Sequence, residues 1–386
     1  MRIYLDNAAT TALAPEVIEV MTKVMQENYG NPSSIYTEGR KSRALIEEAR
    51  KVVARQIGAS IGEVFFTSGG TESNNMAIKC AVRDLGVERI ISTKIEHHCV
   101  LHTLESLETC GSIALDFVKL KEDTSVDLED LNQLLANSDK RTMVCLMHSN
   151  NELGTMIDLD EVSAVCQRHN ALFHSDTVQT MGFFPIDVSK TKINFITGSA
   201  HKFHGPKGVG FIYINNDNLI KPYIEGGSQE RNMRAGTENI YGIVGLAKAL
   251  ELAYEHQETY RAHVTELRNY LKQALEEQFE DIQFNGSVNG KHHYKVLSVS
   301  FPQQPKSDLM LLNLDILGIS ASGGSACSSG SETGSHVINM VTKPENALRK
   351  TVRFSLSHLN TKAEIDFLLE KLKTITPVKE NVSVTS

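Results

Sequence analysis

The chain has 386 residues, 41% of them hydrophobic, which is long and apolar enough for a globular protein of two domains. The formal net charge of −8 is spread along the chain without a block of like charges, which argues against nucleic acid or an anionic membrane as a partner. No apolar run approaches the length of a membrane span, about 18 residues. Because the first residues also lack a basic and apolar signal region, we expect a cytoplasmic protein.

The six cysteines predict neither a disulfide framework nor a metal site, because the chain is long and lacks a CxxC pair or an HExxH helix. Cys145 lies in an apolar run and Cys166 on the apolar face of a helical pattern, so we expect both thiols to be buried and inert. Cys327 differs in context. Between residues 322 and 335, ten of the fourteen residues are Gly or Ser, a composition typical of a mobile loop or linker.

The first half of the chain alternates short apolar runs with helical patterns. The predicted strands are EVFFT (63–67), ERIIS (88–92), TMVCLMH (142–148), ALFHSD (171–176) and INFITGS (193–199). Strands that alternate with helices predict parallel pairing through right-handed crossovers, and therefore a sheet covered on both faces. The fold class predicted for this part is α/β.

After GFIYI (210–214) the pattern changes. Residues 259–279 carry apolar side chains at helical spacing and predict a long amphipathic helix that leads into a second unit. The runs KVLSVSF and TVRFSLS then predict strands. Thr361, followed by Glu364 three residues later, forms a capping box that opens a last helix. The second domain is therefore predicted to be α+β and C-terminal.

Polar and glycine residues follow several of the predicted strands, at the sheet edge where open α/β sheets bind ligands. EVFFT is followed by SGGTES, a glycine turn into a helix that favours a phosphate, although such turns also serve only to reverse the chain. The sequence lacks the ending of a P-loop. Asp176 and Gln179 follow one strand, and Ser199, His201 and Lys202 follow the next.

A phosphate cradle, a carboxylate for a pyridinium nitrogen and a lysine for a Schiff base are the groups that pyridoxal phosphate requires of a protein. Asp176 and Lys202 fit the last two roles, although alone they could equally form an ordinary ion pair. The complete set favours a pyridoxal phosphate site.

Ten motifs in order then identify a resemblance over nearly the whole chain. The motifs are YLDNAATT, GNPSS, FTSGGTESNN, EHHCV, NNELGT, HSDTVQ, SAHKFHGPKG, GGSQERNMRAGTEN, SGGSACSSGS and VRFSLS. They resemble the cysteine desulfurases of the NifS/IscS kind, within the class V aminotransferase family of fold-type I pyridoxal phosphate enzymes. The resemblance implies a large domain, residues 14–258, with a mostly parallel seven-stranded sheet. It also implies a smaller α+β domain, residues 1–13 and 259–386, that carries loop 322–335.

The resemblance also implies roles for individual residues. Lys202 holds the cofactor as a Schiff base, Asp176 pairs with the pyridine nitrogen, and His97 stacks on the ring and relays a proton. Cys327 is the nucleophile. The implied phosphate ligands are Gly70, Thr71, Ser199, His201 and, from the neighbouring subunit, Thr237.

Further implied contacts lie around the ring and the substrate. They are Gln179 at the ring hydroxyl, Asn151 near the ring, and Arg353 with Asn31 at the substrate carboxylate. Two of the implied site residues, His97 and Arg353, also have structural alternatives. A lone histidine such as His97 is more often a structural residue, and Arg353 could form a salt bridge between domains. For Arg353 the two roles are compatible, because a guanidinium can bind a carboxylate bidentately.

The implied reaction removes sulfur from L-cysteine, gives L-alanine, and leaves a persulfide on Cys327. Sulfur then passes to an acceptor such as an iron–sulfur scaffold protein, for cluster assembly, another thio-cofactor or tRNA thiolation. A class V aminotransferase would share Lys202 and Asp176 but has no use for a thiol in a Gly/Ser loop, and a selenocysteine lyase would keep the whole site. A non-catalytic scaffold would not need Lys202, His97 and Cys327 together.

Because Thr237 completes the neighbouring site, we expect a homodimer. Delivery of sulfur to a partner predicts that loop 322–335 is mobile.

Overall fold

The computed structural model describes residues 2–303, 309–323 and 335–379. Its helices and strands, in chain order, are β1 (Ile3–Tyr4), α1 (Pro15–Glu27), α2 (Thr37–Ile57), β2 (Val64–Thr67), α3 (Gly70–Leu85), β3 (Arg89–Ser92), α4 (His98–Thr109), β4 (Ala114–Phe117), α5 (Leu128–Ala136), β5 (Thr142–Cys145), α6 (Leu159–Arg168), β6 (Leu172–Asp176), β7 (Phe195–Ser199), β8 (Gly210–Ile214), α7 (Gln229–Asn232), α8 (Ile240–Glu255), α9 (Gln257–Gln278), β9 (Gln283–Asn285), β10 (Val296–Phe301), α10 (Met310–Ile316), β11 (Ile319–Ser320), α11 (His336–Val341), β12 (Lys350–Ser355) and α12 (Lys362–Leu372).

A seven-stranded sheet forms the centre of the first half, in the order β2-β8-β7-β6-β5-β3-β4. The neighbours from β4 to β7 pair in parallel, which confirms the predicted α/β class. Strand β8 is antiparallel to both β7 and β2. The reason is its connection: residues 200–209 are too few for the helical crossover that a parallel neighbour needs. The sheet is therefore mostly parallel, as predicted.

Apolar residues cover both faces of this sheet. Adjacent residues on one strand belong to different core clusters: Ile90 packs on one face and Ile91 on the other, and Met143 and Val144 divide in the same way. Such alternation follows from the two-residue period of a strand. The thiols of Cys145 and Cys166 are each 1% exposed, so the prediction that both are buried is confirmed.

The second half builds a separate antiparallel sheet, β12-β10-β9, whose core cluster also includes α9 and α12. Strand β10 pairs with β12 through Leu297 opposite Phe354 and Val299 opposite Val352. Ile3 and Leu5, from the first residues of the chain, belong to this cluster. That membership supports the division into residues 14–258 and residues 1–13 with 259–386, which stays a prediction.

Helix α12 begins with the predicted capping box. Thr361 Oγ1 accepts a hydrogen bond from Glu364 N, and Glu364 Oε2 accepts one from Thr361 N. Two backbone groups that a helix start leaves unpaired are thereby satisfied. Within the described ranges, no helix combines the length and the apolar character needed to cross a membrane.

A buried ion pair fixes the segment around α7. Glu230, Arg231 and Asn232 have φ values of 44°, 55° and 64°, three successive non-glycine residues in the left-handed region. The Glu230 carboxylate accepts two hydrogen bonds from Arg50 (2.6 and 2.9 Å) and one from the backbone N of Phe66 (2.8 Å). The side chains of the ion pair are 2% and 3% exposed. This pair ties the segment that precedes Thr237 to α2 and β2.

The substitution Arg50→Met is expected to lower the free energy of unfolding by about 3 kcal/mol or more, because it leaves the Glu230 carboxylate buried without its cation. Urea denaturation followed by circular dichroism measures the change. Lys51→Met is the matched control, since Lys51 pairs with Glu48 in an exposed position on the same helix and its loss should have little effect. Equal effects of the two substitutions would refute a stabilising role for the buried pair.

Candidate active site

A cavity of about 250 Å³ lies at the carboxyl ends of the parallel strands. Ten of the residues predicted from sequence line it: Gly70, Thr71, His97, Asn151, Asp176, Gln179, Ser199, His201, Lys202 and Arg353. Asp176 ends β6, Ser199 ends β7, and Gly70 opens α3 directly after β2. The strand ends therefore bring these residues together at one edge of the sheet, as expected for this class of fold.

Three predicted site residues are not among those that line this cavity. Asn31 and Thr237 do not reach it within their own chain. The segments that contain them are neighbours, because Gln229 Nε2, eight residues before Thr237, contacts Ser33 Oγ, two residues after Asn31, at 3.5 Å. Cys327, with residues 324–334 of the loop predicted to be mobile, lies outside the described residues.

The turn into α3 provides a cradle for a phosphate. Gly69 has φ 152°, ψ −178°, a conformation that essentially only glycine adopts. A Cβ on Gly70 would lie 2.7 Å from Val178 Cγ2, inside contact distance. Two glycines therefore leave open the N-terminus of a 16-residue helix, where unpaired backbone N–H groups and the helix dipole favour an anion.

His201 lies beside this cradle, with its Nδ1 3.1 Å from Thr10 Oγ1. Burial, together with the Lys202 ammonium, lowers the pKa of His201 to about 4. The ring is therefore neutral at neutral pH and acts toward an anion as a hydrogen-bonding group rather than as a cation.

The carboxylate of Asp176 is buried and fixed by two hydrogen bonds. Its Oδ2 accepts from Asn74 Nδ2 (2.8 Å) and its Oδ1 from the backbone N of Val178 (2.9 Å). Asn74 is itself oriented, because its Oδ1 accepts from Thr197 Oγ1 at 3.1 Å and lies 3.0 Å from His174 Nε2. Asp176 is thus held as an oriented anion at the end of β6.

Asn74 is a site residue that sequence reasoning did not single out. It lies on α3 four residues after Gly70, so the helical period places it on the same side of the helix as the phosphate cradle. That spacing within FTSGGTESNN is the signal from which it could have been found.

The N-terminal segment forms another wall of the cavity. Lys202 Nζ donates hydrogen bonds to the backbone oxygens of Ala8 (2.8 Å) and Ala9 (2.7 Å). Gln179 Nε2 also donates to the Ala8 oxygen, at 2.9 Å. Gln179 Oε1 is buried and has no hydrogen-bond partner among the described residues, so it can accept a hydrogen bond from a ligand.

His97 caps helix α4, where its Nδ1 accepts a hydrogen bond from Cys99 N at 3.2 Å. The neutral ring therefore carries its proton on Nε2. Burial, aided by the Lys202 ammonium, lowers the pKa of His97 below its ordinary value, although the Asp176 carboxylate acts in the opposite direction. At neutral pH the ring is uncharged and able to accept a proton.

A second thiol lies in this cavity. Cys99 Sγ is 3.0 Å from His97 Nδ1 and 3.4 Å from Asn74 Nδ2. Burial, with the Asp176 carboxylate, raises the pKa of the Cys99 thiol to about 12. It therefore stays protonated at neutral pH and is a poor nucleophile. Sequence reasoning did not separate Cys99 from the structural cysteines.

Arg353 is 1% exposed, and its salt bridge lies within the smaller predicted domain rather than between the two domains. Its Nη2 pairs with Asp6 Oδ1 and its Nη1 donates to the Asn151 oxygen, each at 2.7 Å. Its Nε is buried, and within the described ranges it lacks a hydrogen-bond acceptor. A guanidinium fixed in this way presents a positive charge to the cavity and can also receive a carboxylate.

These features together fit pyridoxal phosphate. The glycine cradle suits its phosphate, the oriented Asp176 carboxylate its ring nitrogen, and the unsatisfied Gln179 oxygen its ring hydroxyl. Lys202 supplies the amine for its aldehyde.

Asn74→Ala is expected to weaken the affinity for pyridoxal phosphate about tenfold or more, because Asp176 loses a charge-assisted hydrogen bond. Titration of the apoprotein with the cofactor, followed by absorbance, measures this. Asn75→Ala is the control: Asn75 bonds Thr71 O and Thr103 Oγ1 instead. Equal affinities in the two variants would show that Asn74 does not support Asp176.

Comparison with known proteins agrees with this geometry. The family model described as aminotransferase class-V matches residues 3–368. A cysteine desulfurase IscS from Dictyoglomus turgidum is 41% identical over 98% of this chain and 97% of that protein. A solved NifS-like protein superposes with a TM-score of 0.89 at 35% identity, covering 97% of this chain and 99% of that one. A structure described as SspA in complex with cysteine superposes with a TM-score of 0.80 at 29% identity, covering 94% of this chain and all of that one. The chain belongs to the class-V aminotransferase family, whose members use pyridoxal phosphate.

Proposed function

We propose that this protein is a cysteine desulfurase, a sulfurtransferase that binds pyridoxal phosphate at Lys202 and converts L-cysteine to L-alanine with transfer of sulfur to Cys327. The observation that carries the proposal is the single cavity that collects Lys202, Asp176 and eight further side chains predicted for this chemistry. The named relatives over nearly the whole chain support the same activity.

Bound pyridoxal phosphate would supply an electron sink for the pair left at the substrate Cα. Asp176 keeps the proton on the ring nitrogen, because its carboxylate is buried and already oriented by Asn74. Lys202 holds the cofactor aldehyde, and its amine then moves the proton of the substrate Cα. The Ala8 and Ala9 oxygens orient that amine.

Arg353 and His97 act on the substrate in this proposal. Arg353 binds the carboxylate of L-cysteine, for which its position between Asp6 and Asn151 fixes the guanidinium. His97 is neutral, so it can stack on a ring and accept the proton of the substrate thiol. Asn31 assists in binding the substrate carboxylate, either in its own chain or in that of a second subunit.

The described ends of the loop lie near residues that line the cavity, which supports Cys327 as the nucleophile. Ser322 Oγ donates to Asp6 Oδ2 at 2.8 Å, and Asp6 pairs with Arg353. On the other side, Ser335 caps α11 and donates to Glu152, the residue after Asn151. Cys327 follows Gly323 by four residues, so its Cα can lie at most about 14 Å from that of Gly323.

The sulfur transfer proceeds from the thiolate of Cys327. This sulfur forms a bond to the substrate sulfur, the carbon–sulfur bond of the substrate breaks, and its electron pair returns to the carbon skeleton. Protonation of that skeleton gives alanine, and the persulfide stays on Cys327. The enzyme returns to its starting state when a thiol of the acceptor takes the outer sulfur.

We further propose a homodimer, a sulfur-acceptor protein and a cytoplasmic location. Asn31 and Thr237 stay outside the cavity of their own chain, which supports their use in a partner's site. The five cysteines of the described ranges are free thiols, in keeping with a reducing compartment. An iron–sulfur scaffold is the proposed acceptor, in cluster assembly or a related thiolation.

Cys327→Ser is expected to abolish the persulfide on the enzyme and to lower alanine formation from L-cysteine at least a hundredfold, because a hydroxyl does not take up the sulfur. Mass spectrometry of the intact protein and an alanine assay measure both. Cys110→Ser is the matched control, since Cys110 is an exposed thiol at the end of α4. Persulfide at the wild-type rate in Cys327→Ser would refute the assignment.

Mixing two inactive variants tests the shared site. Lys202→Ala removes the Schiff-base lysine, and Thr237→Glu places a negative charge against the partner's phosphate. A hybrid dimer contains one site with both changes and one intact site, so a one-to-one mixture refolded together should regain about a quarter of the wild-type activity. No recovery, with hybrid dimers present by native mass spectrometry, would show that Thr237 does not serve the partner's site.

A further inference from the structure

A second cavity, of about 160 Å³, lies where the two predicted domains meet, and we name it the junction cavity. Residues of the first domain, such as Phe203 and Leu252, face residues of the second, such as Tyr260, Tyr294 and Leu356. Among the described residues, it shares no lining residue with the active-site cavity. Its volume corresponds to about ten water-sized spheres, enough for a small organic molecule.

Lys295 is the unusual group in its wall. The residue is 1% exposed, and its Nζ is buried with neither a hydrogen-bond acceptor nor a carboxylate among the described residues. Its Nζ lies 3.9 Å from the centroid of the Phe183 ring. Burial, with the nearby Lys202 and Arg353, lowers the pKa of the Lys295 amine well below its ordinary value, so the group is not a stable ammonium without a counter-ion. An anion bound beside it would supply that counter-ion, because the Phe183 ring compensates only part of the loss of water.

The other polar groups of the junction cavity are compatible with an anion. Gln257 Nε2 is buried and, in the part of the chain that the structure describes, donates to no acceptor. His204 and His358 are neutral at neutral pH, since burial lowers the pKa of each to about 4. Glu16, the carboxylate in the lining, is exposed to solvent. Lys295 is therefore the only lysine or arginine among the described residues that line this cavity, and an anion bound there could hold its amine in the charged form.

The remaining walls are apolar and aromatic. Phe183, Phe203, Leu252 and Val264 contribute apolar surface, and the Tyr260 ring stacks on His358 with centroids 3.8 Å apart and planes 4° from parallel. One amine, protonated when an anion binds beside it, suits a single carboxylate, whereas a phosphate dianion would keep an uncompensated charge. The walls require that the rest of the ligand be apolar.

We propose that the junction cavity binds a small organic monocarboxylate with an apolar body. Its carboxylate pairs with Lys295 Nζ and accepts from Gln257 Nε2, and its body packs against Phe183 and Tyr260. The ligand thereby contacts both domains at once, at a site separate from the one that binds pyridoxal phosphate. Its presence would stabilise the two domains in their present arrangement.

Benzoate is the probe for this proposal. Isothermal titration calorimetry of the holoenzyme with benzoate should give saturable binding. Lys295→Met should weaken the affinity for benzoate about tenfold or more, because the carboxylate loses its charged partner. The cofactor absorbance of this variant should match the wild type. Lys291→Met is the matched control and should bind benzoate as the wild type does, because Lys291 pairs with Asp158 outside this cavity.

Location is tested independently with 4-bromobenzoate in crystals of the wild-type holoenzyme. The anomalous signal of bromine should lie in the junction cavity between Phe183 and Tyr260, and this result holds even if Lys295→Met fails to fold. A peak found only beside Arg353, no saturable binding, or equal affinity in Lys295→Met and the wild type would overturn the proposal. Methionine keeps the length of the lysine without its charge, so we expect the variant to be at least as stable as the wild type.

Discussion

The parallel pairing of β3 to β7 is the constraint on which the rest of the molecule depends. Parallel strands all end at the same edge of the sheet. The residues that follow different strands therefore lie close together, although they are far apart in the sequence. Asp176 and Ser199 end adjacent strands, and Lys202 follows directly. The glycine turn after β2 joins the same edge, although β8 lies between β2 and β7. One antiparallel strand is tolerated there because β2 keeps the direction of the others.

Burial gives the groups at this edge different ionisation states. Two histidines of the cavity, His97 and His201, are held neutral, whereas the Asp176 carboxylate is held by donated hydrogen bonds. The Cys99 thiol is kept protonated in the same space. The site therefore contains one oriented carboxylate, Asp176, and one amine, Lys202, beside two neutral histidines that can exchange protons. The single reactive thiol can then come from a separate segment of the chain.

Much of the fold was predictable because several strands of the large sheet are rich in apolar residues, as in β2 and β8. Strand β4 was not predicted, since it is a half-buried edge strand, and Asp116 within it interrupts any apolar run. Ten residues of the site were predictable because they lie in the motifs that carry the resemblance, and among them Asp176 and Lys202 also have the chemistry that the cofactor needs. Asn74 and the Ala8 oxygen were not, because their roles arise from tertiary contacts with Asp176 and Lys202. Lys295 is the first residue of the predicted strand KVLSVSF, and nothing in its neighbours indicates that its amine is buried.

The left-handed turn at Glu230, Arg231 and Asn232 bears on the order in which the protein assembles. Each such residue is disfavoured by about 1–2 kcal/mol on its own, so the turn depends on the contact of Glu230 with Arg50 rather than on local preference. Residues 229–237 therefore depend for their shape on packing against α2 and β2. If Thr237 completes a partner's site, each chain must fold before it can serve the other, and tight cofactor binding is the last event in the maturation of the enzyme.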